Sequence, residues 1–234
     1  MNYRVEVAAI DCLMVRLFDG IAEDHMPWML AAAERLRQGF GAGLIDLVPS
    51  YTTLMVHYDL RSLDPGQARE LIDAALADLV PLDAGGGREH VLPVWYDPSV
   101  GPELALLARR SGLPVVEVIR RHSQHQYRVF ALGFAPGFAF MGLVAPELAA
   151  PRLDTPRKRV AAGSVGIAER QTAAYPAVSP GGWNLIGRTP SRLFDREREG
   201  YSLLQPGDRV RFAAVERAEF LRLGGDDSPL EVPA

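Results

Sequence analysis

The residues best equipped for chemistry lie between positions 122 and 183. PRLDTPRKRV (151–160) gathers Arg152, Arg157, Lys158 and Arg159 around Thr155-Pro156. Arginine forks suit carboxylates and phosphates, because two parallel N–H donors meet two oxygens. The same run also suits a solvated basic loop. In Pro180-Gly181-Gly182-Trp183, paired glycines let main-chain N–H groups approach a ligand with no Cβ in the way, and Trp183 offers a stacking wall or a cation–π face. A plain glycine turn beside a core tryptophan is the competing reading. Ser164, after Gly163, can donate to an anionic oxygen or cap a turn. No G-x-S-x-G elbow surrounds it, which weighs against a serine hydrolase. His122 and His125, in RRHSQHQY (120–127), are candidates for proton transfer near neutral pH. A histidine ending a helix also simply caps it. The His122/His125 spacing has no acidic or cysteine partner nearby, so metal binding is disfavoured. GFAPGFAFMG (133–142) has glycines but no lysine, and neither G-x-x-x-x-G-K-[ST] nor G-x-G-x-x-G occurs. A nucleotide site would then be non-standard or come from a partner chain.

These groups need elements to hold them. YRVEVAA (3–9) and CLMVRLF (12–18) read as extended segments, and 21–40 as a helix ended by Gly39, Gly41 and Gly43. LIDLVPS (44–50) and TTLMVHYD (52–59) read as a strand pair turning across Pro49-Ser50. Asp64-Pro65 supplies an N-cap and an N1 proline for a helix over about 65–80. The result is a small α+β unit with two helices on a sheet. Leu82–Gly87, with three consecutive glycines, reads as a linker. HVLPVWYD (90–97) then reads as a strand, Pro102 and Pro114 as openers of two short helices, and YRVFALGF (127–134) as a strand. Short strand candidates follow with turn residues every 8–12 positions, which predicts an antiparallel barrel or sandwich. The end, GGDDSPLEVPA, reads as a loose tail. The expected domains are 1–84 and 88–225.

Composition sets outer limits. The 234 residues suit one large or two small domains, and an apolar share of 48% permits a sizeable core. A net charge of −4 disfavours wholesale nucleic-acid binding. Cys12 is the only cysteine, so neither an intrachain disulfide nor a cysteine-based zinc cluster can form, as expected for a reducing cytoplasm. The start lacks a signal-peptide pattern, and no stretch approaches the ~20 apolar residues needed to span a bilayer.

Several motifs in order resemble the bacterial KipI/PxpB family, also described as allophanate hydrolase subunit 1 or half of a carboxyltransferase domain. They are YDPSVGPELALLARRSGLPVVEVIRRHSQHQYRVFALGFAPGFAFMG, PR-x4-PR-x-RV-x-AGSVGIA, YP-x-x-SPGGWNLIGRTP and LLQPGDRVRF. The resemblance runs from about Pro93 to Phe212. The sequence departs from the family pattern at Ala139-Phe140, at Ala161 in place of proline, at Glu169 in place of glycine, and in Thr172-Ala173-Ala174. The resemblance implies an α+β fold, with a small N-terminal α/β sandwich domain followed by a cyclophilin-like antiparallel β-barrel. It implies the PxpB-type subunit of a 5-oxoprolinase that uses ATP, with Mg2+ from the nucleotide, to open 5-oxoproline to glutamate. The expected partners are a KipA/PxpC-type subunit and a PxpA-like subunit. On that reading His122 is the acid–base candidate. Arg152, Arg157 and Arg159 bind carboxylate and phosphate charge, while Ser164, Gly181 and Gly182 contact oxyanions. Phe138, Tyr175 and Trp183 wall a small pocket. Two alternatives are inhibition of a histidine kinase, through an apolar patch at Met26, Trp28 and Met29, and biotin-dependent carboxyl transfer to urea or a similar amide.

Overall fold

The computed structural model describes residues 2–83 and 86–230. They form two compact units, Met1–Gly87 and Arg88–Ala234. Of the expected linker, Ala84 and Gly85 lie outside the described residues.

The first unit runs β1 (Arg4–Ala9), β2 (Cys12–Arg16), α1 (Met26–Phe40), β3 (Leu44–Ser50), β4 (Thr53–Tyr58) and α2 (Pro65–Leu76). The strands make an antiparallel sheet in the order β1-β2-β4-β3. Alternation places Leu13, Val15, Leu54, Val56 and Tyr58 inside. Helical spacing does the same for Met29, Ala32 and Leu36 of α1, and for Ala68, Ile72 and Leu76 of α2. Asp64 caps α2 as its sequence requires: its Oδ1 accepts from the Gly66 and Gln67 amides, and Gln67 Oε1 accepts from the Asp64 amide. Three expectations change. Helix α1 begins at Met26, since Glu23–His25 forms a 3-10 turn and Pro27 fits only the first helical turn. Ser50 pairs with Thr53, so the β3–β4 turn falls at Tyr51-Thr52 and Pro49-Ser50 stays in the strand. Met26 and Met29 are buried, so they form no exposed apolar patch.

The second unit runs β5 (Glu89–Val94), α3 (Leu104–Ser111), α4 (Val115–Gln124), β6 (Gln126–Leu132), β7 (Ala139–Gly142), β8 (Arg157–Val160), β9 (Ser164–Ala168), β10 (Gln171–Ala174), β11 (Ser179–Gly181), β12 (Asn184–Arg188), β13 (Arg209–Ala214) and α5 (Arg217–Arg222). Seven strands form one sheet in the order β12-β9-β10-β7-β6-β13-β5, while β8 and β11 make a separate ribbon. Trp95, just beyond β5, exchanges two 2.9 Å main-chain hydrogen bonds with Arg188 of β12. That bridge joins the two ends of the sheet and nearly closes a barrel, which removes exposed edges. The pairings are antiparallel except β5 with β13, which is parallel. The barrel is filled by Leu92, Val94, Val129, Met141, Val165, Ile167, Ile186, Val210 and Phe212, with Leu104, Leu107 and Val118 from α3 and α4 packed onto them.

Local contacts fix particular glycines. A Cβ on Gly101 would lie 2.2 Å from the Ile186 carbonyl carbon, so the loop before α3 rests directly on β12. Glu169, at the position where the family pattern has glycine, adopts φ +50. The expected loose tail is tethered through residue 230. Arg188 Nη1 donates to the Asp226 and Ser228 carbonyls at 2.6 and 2.9 Å, and the Leu230 amide donates to Ser99 O at 2.9 Å.

Candidate functional site

A cavity of about 270 Å³ opens beside the β8–β11 ribbon of the second unit. Phe134, Phe138, Phe140, Tyr175 and Trp183 supply its rings, Pro156 and Pro180 its sides, Gly181 and Gly182 bare backbone, and Arg152 a cation. Phe138 sits at the centre of the ring cluster. Its centroid lies 4.9 Å from Phe140, 5.2 Å from Phe134, 5.3 Å from Tyr175 and 5.7 Å from Trp183, all steeply inclined. Such edge-to-face pairs contribute ~0.5–1.5 kcal/mol each beyond burial and give the pocket rigid walls. Phe138, Tyr175 and Trp183 are buried, whereas Phe134 is 62% exposed at the mouth.

The glycines have different reasons for being glycine. A Cβ on Gly181 would sit 2.3 Å from the Tyr175 hydroxyl oxygen, so only glycine lets the tyrosine lie flat against the ribbon. On Gly182 the nearest atoms would be 3.6 Å away, so a side chain fits there. Burial pushes the Tyr175 hydroxyl above its ordinary range, opposed by a main-chain hydrogen bond from Trp183 and by the nearby Arg152 and Arg157 charges. Tyr175 therefore stays a neutral phenol at physiological pH.

Of the residues singled out from the sequence, six meet here: Phe138, Arg152, Tyr175, Gly181, Gly182 and Trp183. Four do not. Arg157 points into the protein, 7% exposed, in an ion pair with Glu103. The other Glu103 oxygen accepts from the Leu185 amide at 2.9 Å, so this pair ties β8 to β12 behind the pocket rather than presenting a fork to a ligand. Arg159 lines a different cavity, with Arg188. Ser164 is wholly buried in β9.

His122 is the largest correction. It is 0% exposed, enclosed by Tyr96, Tyr127 and Phe212, and cannot meet a substrate. Its Nδ1 lies 2.7 Å from Tyr96 Oη and its Nε2 2.9 Å from Thr172 Oγ1. Thr172 spends its own proton on Gly166 O, so it accepts from Nε2–H, and Tyr96 O–H donates to Nδ1. Burial lowers the His122 pKa to about 3, with a smaller contribution from His125. Both ring nitrogens are used, which also removes the His122/His125 metal reading.

The sequence reading missed Phe134, Phe140, Pro156 and Pro180 as lining residues. Phe134 and Phe140 flank the already chosen Phe138 in the same glycine-rich turn, and that spacing was the available signal. Among the described lining residues, Arg152 is the only charged group and the Tyr175 phenol the only other titratable one. The described lining combines aromatic rings, bare backbone and one guanidinium, and it includes no acid–base group tuned to neutral pH.

A family model described as "Carboxyltransferase domain, subdomain C and D" matches residues 3–204. The chain is 34% identical over 230 residues to a 5-oxoprolinase subunit of Bacillus subtilis (strain 168), covering 94% of this chain and 96% of that protein. The crystal structure of TTHA0988 superposes with a TM-score of 0.77 at 40% identity; the match covers 88% of this chain and 40% of that one. The K. lactis urea amidolyase superposes with a TM-score of 0.77 at 16% identity over 97% of this chain and 16% of its own, a likeness of fold. No helix among the described residues is long and apolar enough to cross a membrane.

Proposed function

The chain belongs to the family of carboxyltransferase subdomains C and D, and from that premise we propose that it is the PxpB-type subunit of an ATP-dependent 5-oxoprolinase. The observation that carries the reading is the aromatic pocket with a single arginine at its side. A five-membered lactam carboxylate has a flat apolar ring for Phe138, Tyr175 and Trp183, and an anionic group for Arg152 to grip through two parallel N–H donors. The near full-length match to the Bacillus subtilis protein agrees.

A lactam is an unactivated amide. Its hydrolysis becomes feasible once the amide oxygen is phosphorylated, which makes the carbonyl a better electrophile. This pocket orients the ring and excludes water. The acid–base group and the cations for a triphosphate are not among its lining residues, and the pocket is too apolar to cradle the phosphates of ATP. They come from elsewhere in a complex with a KipA/PxpC-type subunit and a PxpA-like subunit, so the site is composite and the isolated chain is weakly active or inactive. With Met26 and Met29 buried, only the half-buried Trp28 is left of the patch that motivated a kinase-inhibitor role.

Reconstitution with both partner subunits tests this. Arg152→Ala is expected to raise KM for 5-oxoproline by about tenfold or more, the cost of one charge-assisted contact, and Trp183→Ala to lower kcat/KM further. Wild-type kcat/KM in both variants would refute the assignment of this pocket.

A further inference from the structure

Arg188 is 2% exposed, yet its charge is poorly matched. Its Nη1 is held by two tail carbonyls, Asp226 O and Ser228 O. Carbonyls satisfy donors but do not neutralise a cation. The Asp226 carboxylate stands 3.9 Å away and is itself 71% exposed. Arg188 Nε is buried with no hydrogen-bond partner among the described residues, and the same holds for Oγ of Ser164, its cross-strand register partner. Burial lowers the Arg188 pKa, only partly opposed by Asp226 and Asp227. Leaving a buried ion under-compensated costs several kcal/mol. Arg188 lines a cavity of about 200 Å³ together with Arg159, Asp226, Ser228 and Leu230.

We propose that this cavity is a binding site for a phosphoryl group, with Arg188 and Arg159 as its cationic walls and residues 226–230 as its outer strap. A phosphate carries about −1.5 to −2 near pH 7 and so balances two guanidinium groups, where a carboxylate balances one. Arg159 and Arg188 are the cationic groups among its described lining residues, and the exposed Arg159 fork is free to turn towards the ligand. In this state the Asp226 carboxylate stands in part for the anion. Inorganic phosphate and a nucleotide phosphate share this chemistry. The site shares no lining residue with the aromatic pocket and does not depend on the 5-oxoprolinase reading.

The test titrates the purified full-length chain with inorganic phosphate and, separately, with ATP plus magnesium. It follows the heat of binding and the amide exchange of residues 226–230. Saturable binding at millimolar concentration or below is expected. Arg159→Ala, at an exposed position that leaves the core untouched, should weaken it by about tenfold or more. Asp226→Asn should tighten it, because the competing carboxylate is gone. Binding of inorganic phosphate marks a free anion as the ligand, and binding of ATP alone marks a nucleotide; either supports the site. No saturable binding of either, or binding indifferent to both substitutions, overturns it.

Discussion

Replacing His122 by glutamine gives the sharpest test of how the barrel core is wired. The folded chain holds this imidazole neutral, with a pKa lowered from 6.5 to about 3 by burial. The unfolded chain returns it to the ordinary value. Between those two pKa values the unfolded state binds one more proton than the folded state, so acid favours unfolding. The stability is fully present above about pH 6.5 and is lost progressively as pH falls towards 3. Each pH unit in that window changes the balance by ~1.4 kcal/mol, so moving from pH 7 to about pH 4.5 removes on the order of 2–3 kcal/mol through this one group. Glutamine keeps a hydrogen-bonding amide towards Tyr96 and Thr172 but does not titrate. His122→Gln is expected to be less stable than wild type at pH 7, because packing against Phe212 is lost. The gap should then shrink by ~2–3 kcal/mol at pH 4.5. Urea midpoints at both pH values measure it. A gap that stays constant with pH would refute the buried neutral imidazole and reopen an acid–base role.

Other substitutions probe the frame of the site. Gly101→Ala drives a Cβ into the Ile186 main chain at 2.2 Å. A loss above ~4 kcal/mol is expected, read as absent soluble expression or a collapsed thermal transition. Gly182→Ala is the control: its nearest atoms lie 3.6 Å away, and stability should stay within about 1 kcal/mol. Asp64→Ala removes both capping bonds at the start of α2, and the urea midpoint should fall by the equivalent of ~1 kcal/mol.

Local signals carried far in this sequence. Alternation located the strands, and Asp64-Pro65 announced its helix, because each depends on neighbours within a few residues. Phe138, Tyr175 and Trp183 are legible as walls through the family resemblance, and all three line the cavity; by residue type alone a glycine turn beside a core tryptophan competes. The failures involve distant partners. Arg157 and Arg159 look alike in PRKRV, but Glu103, 54 residues away in sequence, draws the first into the interior while the second faces another cavity. His122 follows two arginines at a helix end and reads as an acid–base candidate or a helix cap. Only the approach of Thr172, 50 residues on, makes it a core hydrogen-bond junction. Barrel closure rests on one bridge between Trp95 and Arg188, which no periodicity encodes.

The parallel pairing of β5 with β13 also has a consequence for how the protein is made. Residues near 88 and 208 are neighbours in space although 120 positions apart. During synthesis β5 leaves the ribosome early, and its ladder partner, which lies between it and β6, is among the last strands to appear. Until then β5 and β6 each present an unpaired edge, the surface on which nascent chains aggregate. The second unit therefore cannot complete its sheet until β13 has been made, and a chain broken off before residue 209 would lack the strand that joins β5 to β6.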